Sequence, residues 1–320
     1  MNSRMSKRRM WLVAVSSLAM ACSDGTSPAE ETPNWFVFAA SLPTLSGPHL
    51  FVVRSDGSGK RQLTSGASIN GTPVWSPDAR QIAFVSDPTP SSPDAPRFQL
   101  YVMEADGSGT RRLTRPDDGV AEGGISWSPD GQRIVFGCRP VGATTNRLCI
   151  IGASGSGFTE LLPAGWQGMQ PAWSPDGSTI AFAGTAPGAS STLQIFTTVP
   201  AGGTPRALTN ELGHQMQPTW APDGTLLAVS TRSGQLAFGS ELVTMRADGS
   251  GRATIYPNGF PRSYFEVPTW SRDGKRIGFL RVDFDADAQL RFYIANRDGS
   301  GIRPFPVMNG ANGGWSWGLN

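Results

Sequence analysis

One short string constrains this chain more than any other feature. A tryptophan, a Ser-Pro-Asp-Gly turn and an Ile-Ala-Phe run recur in phase. The unit stands as Trp75-Ser76-Pro77-Asp78 before Gln81–Phe84, as Trp127–Gly131 before Arg133–Phe136, and as Trp173–Gly177 before Thr179–Phe182. Trp220–Gly224 before Leu226–Val229 and Trp270–Gly274 before Arg276–Phe279 repeat it, and a truncated copy ends at Trp315-Ser316-Trp317. Aligned on Trp75, Trp127, Trp173, Trp220, Trp270 and Trp317, the copies lie 46 to 52 residues apart. A period of about 40–50 residues is that of one β-propeller blade.

Each unit reads as four strands, A to D. Strand A ends at the tryptophan. In the turn, Pro fixes φ, Asp bonds locally and Gly accepts positive φ. Strand B is the Ile-Ala-Phe run, and strand C is Leu100–Met103 or its counterparts Leu148–Ile151, Leu193–Phe196, Leu242–Met245 and Phe292–Ile294. A second tight turn follows, as at Asp106–Gly109, Asp248–Gly251 and Asp298–Gly301. Strand D is short and polar, as in Arg111–Thr114 and Arg206–Thr209. Gly 39 and Pro 26 in 320 residues suit many tight turns, and no long 3.6-residue period follows residue 33.

The ends interlock. Before Trp75 lie only B-like (Trp35–Ala40), C-like (Leu50–Val53) and D-like (Arg61–Thr64) runs, and the chain closes on one A-like run, Gly313–Trp317. The predicted fold is therefore all-β. It is a six-bladed β-propeller of four-stranded blades over residues 34–320, closed by a clasp of three N-terminal strands and one C-terminal strand. Such a clasp removes the open edges of the end blades.

Pro-x-Trp-Ser-Pro-Asp-Gly-x-x-Ile-Ala-Phe, followed by Leu-Tyr-Val-Met-x-x-Asp-Gly-Ser-Gly-x-x-x-Leu-Thr, resembles the propeller of the TolB family across residues 34–320. The resemblance implies a cell-envelope protein. The chain differs from that family in that no N-terminal α/β domain is expected here, so the family's full role is not carried over.

The first 21 residues hold Arg4, Lys7, Arg8 and Arg9 and no acid, then a short apolar run, Met10–Met20. Ala19-Met20-Ala21-Cys22 follows, and the segment resembles a bacterial lipoprotein signal. It implies a signal peptide over 1–21, a lipidated Cys22 and a polar, Pro-containing tether over 22–33. Ser23 after the cysteine implies export toward the outer membrane. An ordinary secretory signal cleaved after Ala21 is the alternative; the run is too short to span a bilayer. The chain is expected to be exported, periplasmic or at the cell surface, and held to the membrane by its lipid alone.

Setting that segment aside turns the formal charge of +2 into −2, with no basic stripe, which argues against nucleic acid. The Asp-Gly-Ser-Gly turns recur once per blade, so they read as turns rather than phosphate or calcium sites. The tryptophans read as packing between blades. Cys138 and Cys149 flank the B–C loop of one blade, where oxidation would join them; two buried thiols are the alternative.

With His49 and His214 the only histidines, no metal site of the His type is expected. No Gly-x-Ser-x-Gly elbow occurs, so a prolyl-oligopeptidase arrangement is not expected, and the chain reads as a non-enzyme.

The A–B and C–D turns share one face, and the variable D–A and B–C loops share the other, where binding surfaces concentrate. Asn70, Glu122, Gln170, His214, Gln215, Gln217, Arg262, Tyr264, Glu266 and Asn312 are predicted to line the channel mouth there, as a ligand site or as a solvated polar wall. No cofactor is expected; Glu122, Glu266 and backbone carbonyls could hold a Ca2+, although oxygen ligands alone are a weak signal. The expected function is that of a monomeric, membrane-anchored envelope scaffold contacting protein or glycan through the variable loops. The alternative is an enzyme acting on a saccharide with carboxylates at the mouth.

Overall fold

The computed structural model describes residues 35–41, 47–54, 58–90, 97–139, 142–231, 240–256, 263–271, 273–283 and 290–304. They form six antiparallel sheets in chain order. The first contains β1 (Trp35–Ser41), β2 (Pro48–Arg54) and β3 (Arg61–Gln62). The second contains β4 (Ile69–Trp75), β5 (Gln81–Asp87), β6 (Gln99–Glu104) and β7 (Arg111–Arg112). The third contains β8 (Val120–Trp127), β9 (Arg133–Cys138), β10 (Arg147–Gly152) and β11 (Thr159–Glu160). The fourth contains β12 (Gln167–Trp173), β13 (Ile180–Thr185), β14 (Gln194–Thr198) and β15 (Arg206–Ala207). The fifth contains β16 (Gln215–Trp220), β17 (Leu226–Thr231), β18 (Ser240–Met245) and β19 (Ala253–Tyr256). The sixth contains β20 (Ser263–Trp270), β21 (Arg276–Asp283), β22 (Leu290–Asn296) and β23 (Arg303–Pro304).

Every sheet with four strands runs A-B-C-D in order, as a propeller blade does. Among the described residues there is one 3-10 turn, Pro116–Asp118, and no α-helix. The expectation of six complete blades needs correction: five sheets carry four strands and the first carries three. The strand expected to complete the first, Gly313–Trp317, lies outside the described residues, as do residues 1–34, where the signal, tether and lipidated Cys22 are expected.

The recurring turn chemistry explains why the strands begin where they do. Ser76 Oγ donates to Asp78 Oδ1 at 2.6 Å, and the backbone N–H groups of Arg80 and Gln81 donate to Asp78 Oδ1 and Ser76 Oγ at 3.1 and 2.9 Å. The same set recurs at Ser128/Asp130, Ser174/Asp176 and Ser271/Asp273. Each hydroxyl and carboxylate thus satisfies backbone donors that the reversal would leave orphaned.

The glycine of the second turn is required by packing. A Cβ at Gly249 would come within 2.7 Å of the Leu208 carbonyl of the preceding blade, and one at Gly107 within 3.2 Å of the Leu63 carbonyl. Arginines latch the same seam: Arg111 Nη2 donates to the Ala153 carbonyl at 2.6 Å, and Arg206 Nη2 to that of Asp248 at 3.0 Å.

The core lies between the sheets. Phe84, Phe136, Phe182 and Phe279, the phenylalanines of the repeated run, are all buried. Burying each is worth about 1.5–3 kcal/mol. Three face an aromatic across the B–C pair: Phe84–Tyr101, Phe182–Phe196 and Phe279–Tyr293 stack with centroids 5.6, 5.8 and 5.9 Å apart. In the third blade the residue opposite Phe136 is Cys149, and Phe158 packs on Phe136 at 6.2 Å instead. Tryptophans tie blade to blade, since the indole N–H of Trp127 donates to the Val74 carbonyl at 3.2 Å and that of Trp220 to the Ala172 carbonyl at 3.0 Å.

Candidate functional site at the variable-loop face

The inner strands do not run straight to the channel mouth. Five of them break register against strand B just before the tryptophan, between Gly71/Val74, Val120/Ile125, Met169/Ala172, Met216/Thr219 and Glu266/Thr269. Four of these bulges carry one extra residue; that in β8 is wider. At this level Thr72, Gln170 and Gln217 hold φ of 45, 54 and 52°, and Gly124 holds 93°. A left-handed conformation costs a non-glycine residue about 1–2 kcal/mol. Proline follows each of the three non-glycine residues and restricts that residue further. Such strain persists only where its surroundings over-determine it, and it concentrates at functional sites.

Neighbouring bulges touch. The backbone N–H of Gln217 donates to Gln170 Oε1 at 3.0 Å, and a Cβ at Gly124 would approach the Gln170 Cα to 3.1 Å. Gly124, Gln170 and Gln217 thus form a continuous stretch of channel wall across three blades.

The D–A loops are fixed by a second recurring device. A threonine ending strand D accepts a backbone N–H from strand C: Leu50 to Thr64, Leu100 to Thr114 and Ile195 to Thr209, each at 2.9 Å. The same hydroxyl donates to the side chain one residue earlier, Gln99 Oε1 at 3.0 Å or Gln194 Oε1 at 2.8 Å. Gln194 then holds the next loop from inside, its Nε2 donating to the carbonyls of Glu211 and Gly213 at 2.9 and 3.2 Å. Glu211 pairs with Arg252 at 2.9 Å, and Leu212 at the loop tip is 85% exposed.

His49 occupies the position of Gln99 and Gln194. Its Nδ1 lies 3.3 Å from Thr64 Oγ1, whose other valence already accepts Leu50 N–H. The ring's tautomer decides whether Nδ1 or the hydroxyl donates in this pair. The ring is fully buried, and Nε2 has no hydrogen-bond partner among the described residues. Burial holds the imidazole below its ordinary pKa, outweighing the carbonyls of Thr64 and Gly66, which act the other way.

The predicted mouth residues separate into groups. Gln170 and Gln217 are brought together. Asn70 is buried and structural: its Nδ2 donates to Ser68 Oγ at 3.0 Å and to the Pro48 carbonyl at 3.3 Å, and its Oδ1 accepts from Ser86 at 2.8 Å. Gln215 is fully buried, and His214 Nδ1 accepts the backbone N–H of Leu193 at 3.0 Å. Arg262 and Asn312 lie outside the described residues, as do the side chains of Glu122, Tyr264 and Glu266. Among the described residues no three His, Cys, Asp or Glu side chains come together as a metal site would need.

Sulfurs of Cys138 and Cys149 are bonded at 2.02 Å, joining the strands that flank the loop from Arg139 to Arg147, and both residues are buried. Sequence reasoning missed Thr64, Thr114 and Thr209 as loop anchors, although the repeated Leu-Thr at the end of strand D was the available signal.

Comparison with known proteins bears on the fold and on the enzyme question. No family model matches the chain. The chain is 32% identical over 104 residues to dipeptidyl-peptidase 5 of Porphyromonas endodontalis, a match covering 31% of this chain and 14% of that protein. In three dimensions it is similar to TolB from Acinetobacter baumannii, with a TM-score of 0.63, 18% identity, and 83% of this chain and 61% of that one covered. It is also similar to a puromycin-hydrolysing peptidase of Mycobacterium tuberculosis, with a TM-score of 0.60, 13% identity, and 87% and 44% covered. These likenesses establish the propeller fold. The expectation of a non-enzyme, which rested on missing catalytic motifs, is overturned by the sequence matches to two peptidases over 104 and 87 residues.

Proposed function

We propose that this chain is an exported propeller that binds extended polypeptide at its variable-loop face and serves peptide hydrolysis. The observation that carries the reading is the wall of Gly124, Gln170 and Gln217, where a side-chain amide satisfies a backbone N–H at a strained bulge. Such a wall is chemically matched to the amides of an incoming chain, and loops held by Gln194 and by the Cys138–Cys149 bridge would keep it rigid. The peptidase names of the relatives support this reaction class, and the chain spans only 14% of the matched dipeptidyl-peptidase. Nothing among the described residues favours the saccharide alternative.

The envelope setting is part of the same proposal. The buried disulfide suits an oxidising compartment, and the N-terminal segment suits a lipid anchor at Cys22. Among the described residues no helix is long and apolar enough to cross a membrane. We also take Gly313–Trp317 as the strand that completes the first blade.

The test uses the exported full-length protein and a fluorescent, unstructured casein peptide. Saturable binding that Gln170→Ala weakens with the fold intact supports the reading, and mass spectrometry of the same mixture shows whether the peptide is cut. Absence of peptide binding to folded protein would overturn it.

A further inference from the structure

The opposite face carries a separate feature. On the turn side, between the second and third blades, lies a cavity of about 370 Å3. Trp127 forms part of its lining, with Pro77 and Pro129 and the acids Asp78, Glu104 and Asp130. We propose that this groove receives the guanidinium of an arginine side chain presented by a polypeptide partner.

The chain supplies its own precedent at two equivalent seams. Between the fifth and sixth blades, Arg297 stands over the Trp270 ring at 5.2 Å. Its Nη1 pairs with Asp223 at 2.6 Å, and its Nη2 donates to Thr225 at 2.7 Å. Between the third and fourth blades, Arg133 stands over the Trp173 ring at 4.9 Å. Each of these seams therefore places a guanidinium over the tryptophan of the next blade, although the arginine comes from a different position in each.

At the second seam both positions are occupied by uncharged residues. The counterpart of Arg297 is Ala153, as their matching hydrogen bonds show: Arg297 N–H donates to the Lys275 carbonyl and Ala153 N–H to the Gln132 carbonyl. Arg133 corresponds to Gln81, since each donates its N–H to the first serine of its turn. Gln81 instead turns its Nε2 to Glu104 Oε1 at 2.9 Å. At this seam neither position supplies a guanidinium, and the small uncovered part of Trp127, 6% exposed, borders the cavity.

Charge selects the occupant. Glu104 adds a carboxylate where the fifth blade has Arg246 and the third has Gly152. Asp78 and Asp130 are held ionised by their serine hydroxyls and backbone N–H groups. Arg80 is the one cation in the lining, 4.0 Å from Asp78 and 84% exposed at the rim. Three carboxylates face the exposed Arg80, with Arg133 acting on Asp130 from outside the lining, and Trp127 and two prolines border them, which favours a planar delocalised cation over a compact one.

The test titrates the full-length protein with N-acetyl-arginine methylamide and with its citrulline counterpart, which has the same shape and no charge. Arginine is expected to bind saturably and citrulline not to bind. Glu104→Gln, at an exposed strand end, should weaken binding about fivefold, and Arg80→Ala should tighten it. Ala153→Arg supplies the internal guanidinium and should abolish binding while raising Tm. Equal binding of arginine and citrulline, or undiminished binding by folded Ala153→Arg, overturns the proposal. The groove lies on the face away from the variable loops, so its failure leaves the polypeptide reading untouched.

Discussion

The backbone N–H of Gln217 donates to Oε1 of Gln170 at 3.0 Å, so one strained inner strand is held by the side chain of the one before it. Removing that acceptor leaves a partly buried donor unpaired. Gln170→Ala is expected to cost about 1–2 kcal/mol of stability in urea unfolding. Gln170→Gly loses the same bond but relieves the left-handed backbone, so it should be milder by about 1 kcal/mol. Equal losses in the two variants would mean that the positive φ stores no strain.

His49 makes stability depend on pH. Its folded pKa is depressed by burial, so the unfolded chain takes up a proton near its ordinary value of about 6.5 before the folded protein does. Stability is then full above that value and declines as pH falls through it. The turn aspartates behave likewise at lower pH. Asp78, Asp130 and Asp176 are held low first by serine hydroxyls and then by backbone N–H groups, and their contribution is lost as pH falls through the carboxylate range. His49→Gln installs the residue that Gln99 and Gln194 place in the same pocket. It should flatten the stability curve between about pH 7 and 5 while keeping the acid loss near pH 4. A slope unchanged by this substitution would rule His49 out as its source.

Cys149 takes the place of one ring of a stacked aromatic pair. Phe136 faces Cys149 where Phe84 faces Tyr101, so the third blade relies on its bridge for part of its B–C packing. The cysteines are 11 residues apart, and replacing both by alanine should cost roughly 2–4 kcal/mol. Because both are buried, reductant should open the bridge only under denaturing conditions, which intact mass with and without denaturant will read.

The anchor is tested at Cys22. Cys22→Ser should move the processed protein from the membrane to the soluble fraction. Retention in the membrane after loss of residues 1–21 would point to another means of attachment.

The blades were legible because their determinants are local. Asp130 and its turn serine have one conformational job, and the same pair recurs at Asp78, Asp176 and Asp273. The bulges were not, because one extra residue in β4 or β12 leaves the alternation on either side intact. The Gln-Pro pairs at Gln170 and Gln217 mark them only after the register is known. Asn70 looked like a mouth residue because it is polar and precedes a tryptophan. Its burial depends on Pro48 and Ser86, which are distant in sequence. The arginine groove was hidden for the opposite reason: its signal is Ala153, where a sister blade has Arg297.

Ring closure gives the last expectation. Trp127 and Trp220 each donate an indole N–H to the carbonyl one residue before the preceding blade's tryptophan. Trp75 Nε1 is buried and has no acceptor among the described residues. If Gly313–Trp317 completes the first blade, as proposed, the relationship seen at Trp127 and Trp220 would offer Trp75 the carbonyl of Ser316. Deleting residues 311–320 should therefore expose β1 as an open edge and leave Trp75 unpaired. A fall of roughly 5–10 °C in Tm is expected, the shift that about 2–3 kcal/mol produces in a domain of this size. Trp75→Phe keeps most of the packing and removes the donor, so it should cost less than the deletion. An unchanged Tm on deletion would mean that the first blade stands with three strands.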